Sequence, residues 1–167
     1  PFPDETDYTV VSYHEYFHVV QNAHIDTRDQ DERARLMVEN PWWSEGGAEY
    51  MAQLLYSRQP GVDYGYLKER MAWKMDTRDL LLAGEHFSDI PYGPRAQIGY
   101  DLGTWFIAYL IDQVGEDAYA IDFYDDLNDL DWEASFLTNF GISSQGMLDD
   151  FEEFLDAPLE DQLEIIP

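Results

Sequence analysis

Apolar residues recur at helical spacing along nearly the whole chain, and this periodicity limits most strongly what the sequence can fold into. Asn40 followed by Pro41 marks a helix start, whereas Pro60-Gly61 and Gly115 interrupt the pattern. We predict a mainly α fold, a helical bundle with little or no β-sheet, because no convincing pair of strand segments is present. The predicted helices cover residues 5–25, 29–39, 41–59, 63–83, 98–114, 116–129, 131–140 and 143–156, with a loop over 84–97.

The first predicted helix, residues 5–25, carries apolar side chains on almost every side. Val10 and Phe17 share one side, and Val11 and Ile25 lie on another. A helix that is apolar all round is usually buried, so we expect this helix in the protein interior.

Two histidines stand four residues apart in this helix, in the sequence His14-Glu15-Tyr16-Phe17-His18. This spacing places both rings on one helix face, about 6 Å apart along the axis, where they can bind one Zn²⁺. Glu15 lies about 100° round the helix, so its carboxylate can reach a metal-bound water as a general base without ligating the metal. The alternative is two core histidines with Glu15 as a surface acid.

A catalytic zinc ion needs a third protein ligand, and two candidates follow the histidine motif. His24 lies on a different face from His14 if the helix continues, so it fits poorly. Glu45 fits better, because it shares a helix face with Glu49 and the small residues between the two let that helix lie close to the first. Glu45 could bind the metal, and Glu49 could accept the free ring N–H of a ligating histidine. The alternative is a solvated acidic face.

Acidic residues outnumber basic residues by 35 to 9, and the formal net charge is -26. Such a surface repels nucleic acid and anionic membranes, so neither is an expected partner. The acids are spread along the chain and repel one another unless salt screens them. Two interpretations are open: the source is halophilic, or the protein is merely acidic. The chain has no cysteine, which excludes thiolate zinc sites and leaves histidine and carboxylate as metal ligands.

Together these motifs resemble the gluzincin zinc metallopeptidases, a peptidase-MA-like group, and most nearly the catalytic region of bacterial collagenases. The resemblance rests on His-Glu-x-x-His at residues 14–18 and on a glutamate within the segment WSEGGAEY at residues 43–50. The segment YDLG at residues 100–103, which opens an apolar helix, and the acidic C-terminal helices are also similar. The resemblance spans most of residues 8–156.

The resemblance implies zinc-dependent peptide-bond hydrolysis. It assigns His14, His18 and Glu45 as zinc ligands and Glu15 as the residue that activates the metal-bound water and then protonates the leaving amine. Glu49 would be the carboxylate that orients a ligating ring. An endopeptidase is favoured over an aminopeptidase, because no motif for binding the substrate amine is present.

The resemblance also implies that Tyr100 donates a hydrogen bond to the oxyanion of the reaction. The alternative for Tyr100 is a core aromatic, since the chain has 12 tyrosines. Three residues of the preceding loop compete for the donor role: His86, Tyr92 and Arg95.

Two departures from collagenases narrow the expected function. The residues after His18 differ from the collagenase continuation, which argues against collagen as the substrate. These peptidases also place a small β-sheet before the motif helix, where its edge strand aligns the substrate, whereas 13 residues precede His14 here. We therefore expect residues 1–167 to be a single helical metallopeptidase-like domain, a fragment of a longer protein that lacks the upstream β-sheet subdomain.

Two other functions stay open at this point. One is a helical module that binds zinc but does not hydrolyse peptides, and the other is a metal-free protein-interaction module. For the peptidase, the expected partner is a peptide or protein substrate. The family resemblance favours an extracellular or periplasmic location.

Overall fold

The computed structural model describes residues 5–36 and 40–167, and within these ranges the chain is mainly α with no strand. The predicted fold class is therefore confirmed. The α-helices are α1 (Glu5–Ala23), α2 (Gln30–Leu36), α3 (Gly46–Ser57), α4 (Tyr66–Lys74), α5 (Ala96–Val114), α6 (Phe123–Asp125), α7 (Trp132–Phe140), α8 (Ser144–Phe154) and α9 (Leu159–Gln162). Shorter turns are π-helical at Pro41–Glu45 and Ala118–Asp122, and 3-10 at Met75–Leu80, Phe87–Asp89, Asp126–Asn128 and Leu163–Ile165. None of the described helices is long and apolar enough to cross a bilayer.

The helix predicted to start at Asn40-Pro41 does start there, but its first turn differs from an ordinary α-helix. Pro41–Glu45 is π-helical, and α-helical hydrogen bonding begins only at Gly46. Asn40 has the extended backbone of an N-cap, yet its side chain makes no capping hydrogen bond. Short π-helical turns often occur at functional sites, and this one ends at Glu45.

Other predicted helices are shorter or more irregular than expected. The helix predicted over 63–83 is α-helical only as α4 and then tightens into a 3-10 turn. The segment predicted as a helix over 116–129 is a succession of π, α and 3-10 turns. The predicted end of the second helix, residues 37–39, lies outside the described residues.

Helix α5 forms the centre of the hydrophobic core. Its residues Leu102, Trp105, Phe106 and Leu110 are fully buried. Helix α3 and the π-helical turn before it pack on α5, and α8 packs through Phe151, whose ring lies 5.5 Å edge-to-face from Phe106. The core therefore holds α3 and its preceding turn in place from behind.

Helix α1 lies on the surface, so the prediction that it is buried is wrong. Among its described side chains only Phe17 and Gln21 are buried, whereas Val11, Tyr16 and Val19 are each more than half exposed. The physical reason is that α1 packs mainly against α3, and one neighbouring helix can cover only one face. That contact brings α1 and α3 together at the candidate site.

Candidate metal centre

Three ligand atoms from two helical segments meet at one point between α1 and the start of α3. His14 Nε2 and His18 Nε2 are 3.1 Å apart. Glu45 Oε2 lies 3.2 Å from His14 Nε2 and 3.3 Å from His18 Nε2. Within the described part of the chain, this is the cluster of histidine and acidic residues with a geometry that could hold a metal ion.

The size of this triangle fits Zn²⁺. Tetrahedral ligands at zinc distances of about 2.0–2.1 Å lie about 3.3–3.4 Å from one another. The three observed separations fall within about 0.3 Å of that spacing. Two imidazoles and one carboxylate are also a ligand set that zinc commonly takes in hydrolytic enzymes, with a fourth position left for water. The residues present therefore fit the metal that the sequence motif predicts.

The orientation of the His18 ring is set by Gln21, one turn further along α1. The Gln21 side-chain Nε2 donates to the Ser44 backbone carbonyl over 3.0 Å. The amide oxygen of Gln21 is therefore left to face His18 Nδ1, 2.7 Å away. An oxygen can only accept, so Nδ1 carries the proton and Nε2 presents a lone pair to the centre of the triangle.

The His14 ring has a charged partner in Glu49, at a longer distance. Glu49 Oε2 lies 3.4 Å from His14 Nδ1, where it can accept the ring N–H. Nε2 of the neutral ring then also points its lone pair at the centre. The structure thus places Glu49 where the sequence predicted a ring-orienting carboxylate.

Three electron-rich atoms cannot face one another closely unless a positive charge lies among them. Without a metal, that charge is a proton. Burial opposes protonation of His14, but its hydrogen bonds to Glu45 and Glu49 outweigh burial and raise its pKa to about 9. Burial opposes ionisation of Glu45, but its bonds to the two imidazoles hold its pKa well below the usual range. The cluster is therefore a site that favours a cation.

A buried ion network supports the site from behind Glu49. Lys74 is 4% exposed, and its Nζ lies 2.9 Å from Glu49 Oε1 and 2.8 Å from Asp101 Oδ1. Gln53 Nε2 donates to the same Glu49 oxygen over 2.9 Å. Although burial opposes ionisation, the bonds from His14 and Lys74 keep the pKa of Glu49 low. Glu49 therefore stays an anion that can accept the His14 N–H.

Glycines let the segment that carries Glu45 approach its neighbours closely. A Cβ on Gly47 would lie 2.2 Å from the Tyr119 hydroxyl and 3.2 Å from Gln21 Nε2 of α1. A Cβ on Gly46 would lie 2.5 Å from the backbone carbon of Gly103 in α5. The sequence predicted the approach to α1, whereas the approach to α5 appears only in the structure.

An open groove runs beside the cluster. Its lining includes His14, Glu15, Glu49 and Tyr100. Glu15 is exposed and next in sequence to a ligand candidate, so its carboxylate can meet water and a bound molecule. The motif assigns metal binding to the two histidines and the general-base role to Glu15. In the structure Glu15 accordingly lies outside the triangle of ligand atoms.

Two tyrosines lie near Glu45. Tyr92 donates to Glu45 Oε1 over 2.9 Å. Burial and the nearby Glu45 carboxylate raise the pKa of Tyr100 to about 12. Both phenols therefore keep their protons at neutral pH and can donate. Tyr100 lines the groove beside Glu15, whereas Tyr92 lines a separate depression formed by the preceding loop.

The remaining candidates from the sequence lie beside carboxylates away from the cluster. His24, just after α1 ends, lies 2.9 Å from Asp125 Oδ1. His86 contacts Glu152, and Arg95 Nη1 lies 2.5 Å from Glu85 Oε1. None of these three is in the group of residues that meets at the triangle.

Sequence reasoning missed Gln21 and Lys74. Gln21 had a usable signal, because it stands three residues after His18 on the same helix and can reach back along it. Lys74 had none, since its contact with Glu49 depends on how α4 folds against α3 and α5.

Comparisons with protein-family models, with curated proteins and with solved structures returned no match. The resemblance to gluzincins therefore stays a prediction that rests on the motifs.

Proposed function

We propose that this chain forms the metal-binding and catalytic part of a zinc-dependent peptidase, with His14, His18 and Glu45 as the zinc ligands. The observation that carries the proposal is the triangle of three lone-pair atoms whose edges of 3.1, 3.2 and 3.3 Å suit tetrahedral zinc. Support comes from Glu15, which follows the first ligand in an open groove as the sequence motif requires of a general base.

When bound, Zn²⁺ would supply a Lewis acid for water and for the peptide carbonyl. Glu15 would take a proton from the attacking water and pass it to the leaving amine. Gln21 and Glu49 would hold the two rings with their Nε2 lone pairs facing the metal. The protein residues thus provide the ligands, their orientation and the proton transfer.

Tyr100 is the better candidate for the donor that stabilises the oxyanion, because it shares the groove with Glu15. In Tyr100→Phe we expect kcat to fall by about 10²–10³, the effect of removing one such donor, with zinc content unchanged. Tyr92→Phe is the matched control and should lower kcat far less. Equal losses in the two variants would exclude a special role for Tyr100.

Metal analysis tests the ligand assignment. Protein purified without chelators should take up one Zn²⁺ per chain, and Glu45→Gln should weaken that binding strongly. Glu69→Gln removes an exposed acid from α4 with the same change in charge, and should bind zinc like the wild type. An unchanged zinc affinity in Glu45→Gln would remove Glu45 from the site.

Peptide cleavage tests the catalytic assignment. The zinc-loaded wild type should cleave members of a mixed peptide library, and Glu15→Gln should keep its zinc but lose cleavage. Cleavage by Glu15→Gln at the wild-type rate would refute the mechanism. Full zinc binding without any cleavage would identify the non-hydrolysing zinc module, and absence of metal binding would identify the metal-free interaction module.

A further inference from the structure

The groove beside the metal cluster has an arginine in its wall. Arg70 of α4 lines this groove together with His14, Glu15 and Tyr100. The other groove residues that carry a charge near the cluster are Glu15, Glu49 and the buried Lys74, which is bound to its two carboxylates. Arg70 is therefore the cation in this wall that a ligand in the groove can meet.

In the described part of the chain, Arg70 is held by an aromatic ring and not by a carboxylate. In a chain with 35 acidic residues, Arg58, Arg78 and Arg95 each pair with a carboxylate. Among the described residues Arg70 forms no such ion pair, and its Nε is buried without a hydrogen-bond partner. Its guanidinium carbon instead lies 5.1 Å from the ring centroid of Trp73.

The contact with Trp73 fixes the orientation of the Arg70 guanidinium. Stacking on Trp73 restricts the orientation of the Arg70 side chain while leaving donors of the planar guanidinium unused. Trp73 is itself 63% exposed, so this pair stands at the open side of the groove. A planar group with unused donors in fixed directions matches the two oxygens of a carboxylate.

We infer that the groove recognises a peptide through a carboxylate bound by Arg70, next to the zinc cluster. The inference rests on the proposed function, because it names the substrate class of the same site. The carboxylate comes from the C-terminus of the peptide or from an aspartate or glutamate side chain. The net negative charge of the chain repels acidic peptides. Arg70 attracts a carboxylate at one point in the groove, so it gives specificity for peptides that carry this group in the right position.

Binding to the zinc-loaded Glu15→Gln protein tests the inference without hydrolysis. One pair of probes is an N-acetylated alanine pentapeptide as the free acid and as the C-terminal amide. The second pair is the amide with Glu or Gln at its central position. We expect calorimetry to show about tenfold tighter binding of the charged member in at least one pair, and the pair that responds identifies the source of the carboxylate.

Arg70→Gln in the same background separates recognition by arginine from direct binding of the carboxylate to zinc. This variant should reduce the preference to about twofold or less, because the charge-assisted hydrogen bonds are lost. Lys68→Gln removes the same charge from α4 at a residue outside the groove lining and should keep the preference. Circular dichroism and zinc content confirm that each variant is folded and loaded.

Equal binding of charged and neutral probes by protein that contains Arg70 would overturn the inference. So would a loss of preference in Lys68→Gln as large as in Arg70→Gln. Wild-type hydrolysis of the same peptides is measured separately. Cleavage without a carboxylate preference rejects the inference alone, whereas a preference without cleavage rejects the peptidase and leaves the carboxylate site of Arg70 in place.

Discussion

The chemistry of the candidate site depends on which ring nitrogen of each histidine carries the proton. His18 Nδ1 faces the Gln21 amide oxygen, and His14 Nδ1 faces the Glu49 carboxylate. Both rings therefore direct Nε2 toward Glu45. A pair of histidines at spacing four becomes a metal site only when such partners select the same tautomer in both rings.

Replacing Gln21 by leucine should lower zinc affinity about 10–100-fold, because His18 loses the partner that orients its ring. Competition with a chromophoric chelator measures the affinity. Gln113→Leu is the control, since Gln113 is exposed on α5 and, among the described residues, its side chain bonds Asp112 alone. An affinity in Gln21→Leu equal to that of the control would show that Gln21 does not orient His18.

At the scale of residues, the sequence predicted which side chains of the motif helix lie together, and it missed a residue that contacts one of them. His14 and His18 share a face because both lie on one helix, and helix geometry alone sets their spacing. The pairing of Glu49 with His14 was predicted, and the structure places the two within 3.4 Å. Gln21 was missed, because its role depends on the Ser44 carbonyl of another segment.

At the scale of helices, the position of Glu45 depends on a close approach between two backbones. The π-helical turn that carries Glu45 packs against Gly103 of α5, with no side chain between them. A Cβ on Gly103 of α5 would lie 2.2 Å from the Trp42 carbonyl oxygen and 2.6 Å from Trp42 Cα. Backbone atoms cannot turn away as a flexible side chain can. The π-helical turn that ends in Glu45 therefore rests directly on α5.

Gly103→Ala should destabilise the protein by about 3 kcal/mol, since the added methyl group forces the π-helical turn away from α5. Urea unfolding measures the loss, and zinc affinity should fall in parallel because Glu45 moves with the turn. Gly65→Ala is the control, because the nearest described atom to its Cβ would be Oδ1 of the flexible Asp63 side chain, at 3.2 Å. Similar stability of both variants would contradict the close crossing.

Lys74 connects three helices by two ion pairs. It lies on α4 and bonds Glu49 of α3 and Asp101 of α5, and all three side chains are largely buried. Lys74→Met should cost about 3–5 kcal/mol, because it leaves two buried carboxylates without their cation. Chemical denaturation measures this loss. Lys68→Met, on the same helix, should change stability by much less, and an equal loss there would contradict a special contribution of the buried Lys74 pairs.

At the scale of the whole molecule, the net charge of -26 sets the response to salt. The screening length falls from about 10 Å at 0.1 M salt to about 3 Å at 1 M, so repulsion among surface acids weakens. We therefore expect the melting temperature to rise with NaCl and equally with KCl. A flat melting temperature up to molar salt would contradict the halophilic interpretation and leave a protein that is simply acidic.

The mainly α fold and the pairing of His14 with His18 follow from residue order, because both depend on periodicity within single helices. The choice of Glu45 among 35 acids, the surface position of α1 and the convergence of Tyr100 and Arg70 on one groove depend on contacts between helices. Packing of the entire core around α5 decides those contacts. The spacing of residues within one helix carries no information about which neighbour that helix will meet.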